Sequence, residues 1–147
     1  MTTTTTTATA TLPIPHLTAI STTAAPAAVG PYSQAVRVGD RLFVSGQLPI
    51  DPATGTVGAG AIGALTTQSL RNAEAILIEA GTTLSNVVKT TVLVADLADF
   101  AEVNAAYAAV FTGPVLPARA AYQVAALPMG ARVEIELVAA CPPPAAG

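Results

Sequence analysis

Reactive side chains are scarce in this 147-residue chain, which contains one cysteine, one histidine and no tryptophan. The lone Cys141 cannot form an intramolecular disulfide, and its position near the C-terminus favours an incidental role. A Ser-His-Asp triad or a zinc site would have to use His16, and nothing around "PIPHLTAI" looks like such a site. We therefore expect an exposed or edge histidine, and chemistry that depends on carboxylates, arginine, lysine, tyrosine, serine or the backbone.

Charge is also scarce, at 10% of residues, and the net charge is −3. Because nucleic acids and anionic membranes are bound by clustered lysine and arginine, this composition argues against both partners. No apolar run is long enough to predict a membrane span. The N-terminal "MTTTTTTATATLP" does not read as a signal peptide, so we expect a disordered Thr-rich leader over residues 1–12 and a cytoplasmic protein.

The remaining length fits one domain, which we place at residues 13–140, followed by a Pro-rich tail over 141–147. Hydrophobic spacing predicts helices over 62–80 and 96–111, the second capped by Asp96. The strand patterns predict a hairpin over 34–46, a strand over 86–96 and two final strands over 118–127 and 131–140. The expected order is β-β-(β)-α-β-α-β-β, a mixed sheet with two helices on one face.

The face of the sheet without helices is predicted to carry charges among small apolar residues. Alternate residues of a strand share a face, and this groups Glu134 with Glu136 and Arg119 with Ala121. Lys89 belongs to a similar row in the strand over 86–96. Such a face is too apolar for open solvent and too polar for a closed core, so we interpret it as a subunit interface with polar clefts.

Two motifs could carry chemistry. "GAGAIG" (58–63) matches a dinucleotide-binding pattern, but a turn rather than a strand precedes it. The favoured interpretation is therefore a flexible, glycine-rich loop that leads into a helix. Arg119 and Glu134 are predicted to fall on neighbouring strands joined by a short turn. They form either a structural ion pair or a site in which Arg119 binds a substrate carboxylate and Glu134 handles protons or water.

Four segments of the chain resemble one known family, in order and nearly without gaps from about residue 25 to 139. The segments are "GPYSQAV", "FVSGQLPIDPATG", "VVKTTVLVADLADFAEVNAAYAAVF" and "PARAAYQVAALPMGARVEIELVA". Together they resemble the RidA/YjgF family of reactive-intermediate (imine/enamine) deaminases. The resemblance implies an α+β, chorismate-mutase-like fold with a six-stranded mixed sheet and two helices on one face. It also implies a homotrimer with three active sites between subunits.

The resemblance assigns the substrate carboxylate to Arg119 and the proton-handling glutamate to Glu134. It implies that the predicted substrate-binding residues are Tyr32, Ser45, Asn104 and Ala121. Many relatives carry a cysteine two residues after the arginine, where this chain has Ala121. A backbone N–H survives that difference, whereas any role of a thiol does not, so the substrate preference is left open.

The activity that the resemblance implies is hydrolysis of 2-imino or 2-enamino acids, such as 2-aminoacrylate and 2-iminobutanoate, to 2-keto acids and ammonia. An iminium carbon is already electrophilic, so no metal or cofactor is expected. Two alternatives stay open: a family member that acts on another small acid, and a trimeric ligand-binding or protein-protective module without hydrolase activity.

Overall fold

The computed structural model describes residues 15–143, which form a six-stranded mixed sheet with two helices on one face. The strands are β1 Leu17–Ile20, β2 Ala35–Val38, β3 Arg41–Gln47, β4 Ile50–Asp51, β5 Thr56–Val57, β6 Val87–Val94, β7 Ala118–Gln123 and β8 Val133–Ala140, and the helices are α1 Ile62–Glu79 and α2 Phe100–Val110. The sheet order is β1-β2-β3-β8-β6-β7, while β4 and β5 pair separately. Strands β6 and β7 run parallel and the other pairs are antiparallel. The predicted α+β fold is confirmed.

The helices follow the predicted apolar spacing closely. Leu70, Ala73 and Leu77 are buried on α1, and Gly81 adopts a φ of +77° just after the helix ends. Helix α2 begins four residues later than predicted, at Phe100, because Asp96 caps a preceding 3₁₀ turn by accepting a hydrogen bond from the Ala98 N–H at 2.8 Å.

One side of the sheet packs against the helices and forms the core. Val133, Ile135 and Leu137 of β8 are buried there, as their alternation predicted. The predicted hairpin is confirmed as β2 and β3, with Gly39 supplying a φ of +57° at the turn.

The edge strand β1 was not recognised from the sequence. Its residues "LTAI" pair with β2 along their full length, yet three of the four are exposed and Ile20 alone contacts the core. An edge strand of this kind is held mainly by backbone hydrogen bonds, which leave little trace in the side-chain pattern. His16, just before it, is exposed as expected.

The predicted adjacency of the last two strands is wrong. Strand β6 lies between β7 and β8, pairing with β7 on one side and β8 on the other. The "LPMG" segment is therefore not a hairpin turn. It contributes a short 3₁₀ turn to the connection that runs from the end of β7, past the C-terminal end of β6, to the start of β8.

The leader at residues 1–12 and the last part of the tail, 144–147, lie outside the described residues. "GAGAIG" connects the β4–β5 hairpin to α1, so no parallel strand precedes it and the dinucleotide interpretation fails. Within residues 15–143, no helix has the length and apolarity needed to cross a membrane.

Candidate active site

Arg119 lies on β7 and contacts helix α2. Its Nη1 donates a hydrogen bond to Oδ1 of Asn104 at 2.8 Å. The guanidinium carbon lies 4.7 Å from the centre of the Tyr107 ring and 5.5 Å from that of Phe100. These contacts hold the planar guanidinium in one orientation, because ring faces attract the cation while the amide fixes one of its edges.

Helix periodicity places these three partners of Arg119 together. Phe100, Asn104 and Tyr107 are spaced at i, i+4 and i+7 and so lie on one face of α2. The Tyr107 hydroxyl shares a hydrogen bond of 2.8 Å with Oγ1 of Thr90, which is fully buried on β6. We call Arg119, Asn104, Tyr107 and Phe100 the arginine half-site.

Glu134 lies on β8 opposite a β-bulge in β3. Between the pairs Val44–Leu137 and Gln47–Ile135 the bulged strand advances three residues while its partner advances two. Gly46 in this bulge is so close to Glu134 that a Cβ built on it would lie 1.9 Å from Oε1 of the carboxyl group. The carboxyl group therefore rests directly against bare backbone.

Ser45, beside Gly46, ties the bulge to the loop that carries Tyr32. Its hydroxyl donates to the carbonyl of Ser33 at 2.7 Å, and its N–H donates to the carbonyl of Gln34 at 3.0 Å. The hydroxyl proton of Ser45 is thus engaged within the chain, while the ring of Tyr32 is half exposed. We call Glu134, Gly46, Ser45 and Tyr32 the glutamate half-site.

Gln34 anchors the same loop, and the sequence did not indicate this role. Its buried amide accepts a hydrogen bond from the Thr22 N–H at 2.7 Å and donates to the Pro26 carbonyl at 2.7 Å. A buried amide that is fully hydrogen-bonded stabilises one conformation of the segment that it joins. Gln34 therefore sets the position from which Tyr32 is presented.

The electrostatics of the glutamate half-site favour the neutral acid. Burial raises the pKa of Glu134, and the nearby carboxylate of Glu136 raises this pKa further. Among residues 15–143 no three His, Cys, Asp or Glu side chains are grouped so that they could hold a metal ion. A carboxyl group with a raised pKa is suited to proton transfer, and the guanidinium of Arg119 is suited to binding a carboxylate.

The two half-sites lie on opposite faces of the sheet. Arg119 pairs with Thr90, which faces α2, whereas Glu134 pairs with Leu93 on the same strand. Since residues 90 and 93 are an odd number apart, they point to opposite faces. The expectation that Arg119 and Ala121 share the helix-free face with Glu134 is wrong, and Arg119 and Glu134 form no ion pair within one chain.

The remaining predicted residues divide between the halves. Asn104 contacts Arg119 directly, and Ala121 follows Arg119 on the helix-facing row of β7, where it packs partly against the core. Ser45 precedes Gly46, which adjoins Glu134, and Tyr32 precedes Ser33, to which Ser45 is hydrogen-bonded. Tyr107 and Gly46 were not predicted as site residues, because their roles depend on contacts between elements distant in sequence.

Within residues 15–143, no further layer packs on the helix-free face of the sheet, and that face mixes polar and apolar side chains. It contains a shallow depression of about 220 Å³ lined by Phe43, Lys89, Thr91, Glu136 and neighbouring residues. Phe43 and Tyr122 expose 47% and 57% of their surface. The predicted polar and apolar mixture is thus confirmed for the rows that contain Lys89, Glu134 and Glu136.

The protein is thus an α+β protein in which the arginine half-site and Glu134 lie on opposite faces of one sheet. A family model described as Endoribonuclease L-PSP matches residues 22–141, and the chain belongs to that family. The resemblance to RidA/YjgF proteins is confirmed by its relatives.

Several curated relatives share a name. The mouse protein called 2-iminobutanoate/2-iminopropanoate deaminase is 56% identical over 120 residues, covering 82% of this chain and 88% of that protein. A Salmonella typhimurium protein of the same name is 49% identical over 122 residues, covering 82% and 94%. A Sinorhizobium fredii protein called RutC family protein y4sK is 60% identical over 119 residues, covering 81% and 94%.

Solved structures show the same fold. The YjgF gene product from E. coli superposes with a TM-score of 0.80 at 47% identity, covering 84% of this chain and 98% of that one. E. coli TdcF with bound serine superposes with a TM-score of 0.81 at 38% identity, covering 85% and 99%.

Proposed function

We propose that the protein hydrolyses reactive 2-imino and 2-enamino acids, such as 2-iminobutanoate and 2-aminoacrylate, to 2-keto acids and ammonia. Relatives named 2-iminobutanoate/2-iminopropanoate deaminase support this activity at 49–56% identity. The observation that carries the proposal is Arg119, whose guanidinium is held by an amide and two aromatic rings. Asn104 is its only hydrogen-bond acceptor within the described part of the chain, so further donors are available to a carboxylate.

Water is the only co-reactant that the hydrolysis needs. The oxygen of water bonds to the imine carbon, and the electron pair of the C=N π bond moves to nitrogen. A 2-enamino acid enters as its imine tautomer, formed when a proton moves from nitrogen to the β carbon. Glu134, in its carboxylate form, takes one proton from the attacking water and gives it to the nitrogen, which completes the carbinolamine. The hydroxyl oxygen then forms the C=O bond as the C–N bond breaks, and Glu134 passes the hydroxyl proton to the departing nitrogen, so that ammonia and the 2-keto acid leave and the carboxylate is restored. A raised pKa suits this role, because the group then exchanges protons closer to neutral pH.

Each complete site forms between two copies of the chain, in a homotrimer. One subunit supplies the arginine half-site with Asn104 and the backbone at Ala121, and its neighbour supplies Glu134, Ser45 and Tyr32. The opposite faces occupied by Arg119 and Glu134 support this arrangement, since one chain by itself cannot direct both groups at one small substrate. The uncovered sheet face with its exposed Phe43 gives the subunits a surface on which to pack.

The proposal is tested by coupled kinetics. Threonine dehydratase supplies the imine, and formation of the keto acid is followed with the parent protein, with Arg119→Lys and with Arg71→Lys as a matched control on the exposed surface of α1. Lysine keeps the positive charge, but its ammonium group cannot donate two parallel hydrogen bonds to a carboxylate as the planar guanidinium can. A charged hydrogen bond contributes about 1.5–3 kcal/mol, so Arg119→Lys should lower kcat/KM by roughly tenfold to a hundredfold.

The control and the alternatives give distinct results. Arg71→Lys should retain parental kinetics. Full activity in Arg119→Lys with an unchanged melting temperature would refute the assignment of Arg119. No acceleration by the parent protein would favour the ligand-binding module or another small acid as substrate.

The family description raises one further activity, RNA cleavage. The sequence favours the imine substrate, because all six basic residues are outnumbered by nine acidic ones and a single histidine is available. Incubating the protein with labelled RNA under the conditions of the imine assay separates the two. RNA cleavage without keto acid formation would replace the proposal.

A further inference from the structure

Gly46 lies in the bulge of β3, and its backbone conformation does not require a glycine. Its φ lies outside the left-handed region, so an alanine could adopt the same backbone conformation. The obstacle is instead the side chain of Glu134. A Cβ on Gly46 would lie 1.9 Å from Oε1, 2.8 Å from Cδ and 3.1 Å from Cγ of Glu134.

The three heavy atoms nearest to this added Cβ all belong to one side chain. They are atoms of Glu134, and the closest is the free end of that side chain. The carboxyl group, rather than the sheet, would therefore have to move when a methyl group is added. The β-bulge directs this bare backbone toward Glu134, and Ser45 fixes the bulge through its hydrogen bond to Ser33.

We propose that Gly46 is a positioning residue, whose missing side chain provides the space in which the Glu134 carboxyl group is held against the backbone. This inference rests on the proposed function insofar as Glu134 handles the protons of imine hydrolysis. It assigns to Gly46 a role in placing that acid, separate from any contact of Gly46 with a substrate.

The test compares Gly46→Ala with Gly63→Ala. Gly63 lies in α1, and a Cβ there meets only the carbonyl of Glu102 at 3.9 Å, so the control adds the same methyl group without a clash. The protonation of Glu134 is followed directly by ¹³C NMR of its side-chain carboxyl group. In Gly46→Ala the pKa of Glu134 should fall toward its usual value, because the displaced carboxyl group is less buried.

Kinetics give the second measurement. Displacement of a proton-transfer group by about 1 Å can cost a hundredfold in rate, so kcat/KM of Gly46→Ala should fall by about that factor and its pH profile should shift with the pKa. Gly63→Ala should keep both the kinetics and the titration of the parent protein.

A third variant covers the case in which Gly46→Ala does not fold. Combining Gly46→Ala with Glu134→Ala removes the clashing side chain, so the double variant should fold and melt close to Glu134→Ala alone. If the double variant is as unstable as Gly46→Ala, the space beside Gly46 does not serve Glu134 and the inference is wrong.

The experiments distinguish a failure of the proposed imine hydrolysis from a failure of the proposed role of Gly46. If the parent protein does not hydrolyse imines, the proposed function fails, while the NMR titration still decides whether Gly46 places Glu134. If the parent is active and Gly46→Ala titrates and reacts like the parent, the positioning role is overturned and the proposed function stands.

Discussion

At the scale of single residues, the burial of Glu134 lowers the stability of the folded protein at neutral pH. Its pKa is raised by burial and by Glu136, so the folded state holds the proton at pH values where the unfolded chain has released it. The stability that this group contributes is therefore fully present below its unfolded pKa and is lost as pH rises through its folded pKa. At neutral pH the charged form is penalised by its surroundings.

Glu134→Gln should consequently stabilise the protein at neutral pH while abolishing most imine hydrolysis. Glutamine has nearly the shape of the neutral acid, so the gain in melting temperature should vanish at acidic pH, where Glu134 is protonated. Glu102→Gln serves as the control, because Glu102 is exposed in the first turn of α2, where a negative charge is favourable. A melting temperature of Glu134→Gln that does not exceed the parental value at pH 7 would contradict this account.

At the scale of elements, α2 serves as the platform for the arginine half-site. The Tyr107 ring supports the guanidinium of Arg119, while its hydroxyl is hydrogen-bonded to Thr90 beneath it. The side chain of Tyr107 thus links β6, α2 and the guanidinium of Arg119 on β7. Substitutions of Tyr107 can separate the contribution of its ring from that of its hydroxyl.

Tyr107→Phe keeps the ring and removes the hydroxyl, leaving Thr90 unpaired. We expect it to cost about 1–3 kcal/mol of stability and to change KM little. Tyr107→Leu also removes the ring, and a cation–π contact of about 0.5–2 kcal/mol predicts a rise in KM of roughly two- to thirtyfold. Thermal melting and steady-state kinetics measure the two effects, and an equal KM in both variants would show that the ring does not support Arg119.

At the scale of the whole molecule, the positions of Arg119 and Glu134 on opposite faces predict that activity depends on assembly. If the protein is a cyclic trimer whose sites each combine the arginine half of one subunit with the glutamate half of the next, inactive subunits can complement one another. Co-expressing Arg119→Lys with Glu134→Gln creates mixed trimers in which one interface joins two intact halves. Random mixing should recover about a quarter of the wild-type sites.

The control is each variant purified alone and then combined without subunit exchange, which should stay as inactive as its components. Light scattering checks that all samples have the mass of a trimer. Co-expressed trimers that are no more active than the separate variants would place both halves of the site within one chain and contradict the proposed arrangement.

Local patterns were sufficient for most of the elements. The apolar spacing of Leu70, Ala73 and Leu77 predicted α1, and the alternation of β8 predicted its buried row, because both patterns reflect burial against one neighbouring layer. Strand β1 escaped prediction because its side chains are largely exposed. Arg119 and Glu134 were found as candidates because charges stand out in strands that are otherwise rich in alanine and valine.

Residue patterns along the chain therefore predict the fold class, the helices, most of the strands and the residue types available for chemistry. The position of β6 between β7 and β8, which puts Arg119 and Glu134 on opposite faces of the sheet, is visible only in the folded chain. The same holds for the contact of Tyr107 with Arg119 and for the contact of Gly46 with Glu134. The physical reason is that hydrophobic periodicity and secondary-structure propensity are local properties of the chain. Strand order and side-chain contacts depend instead on which segments, distant in sequence, pack together.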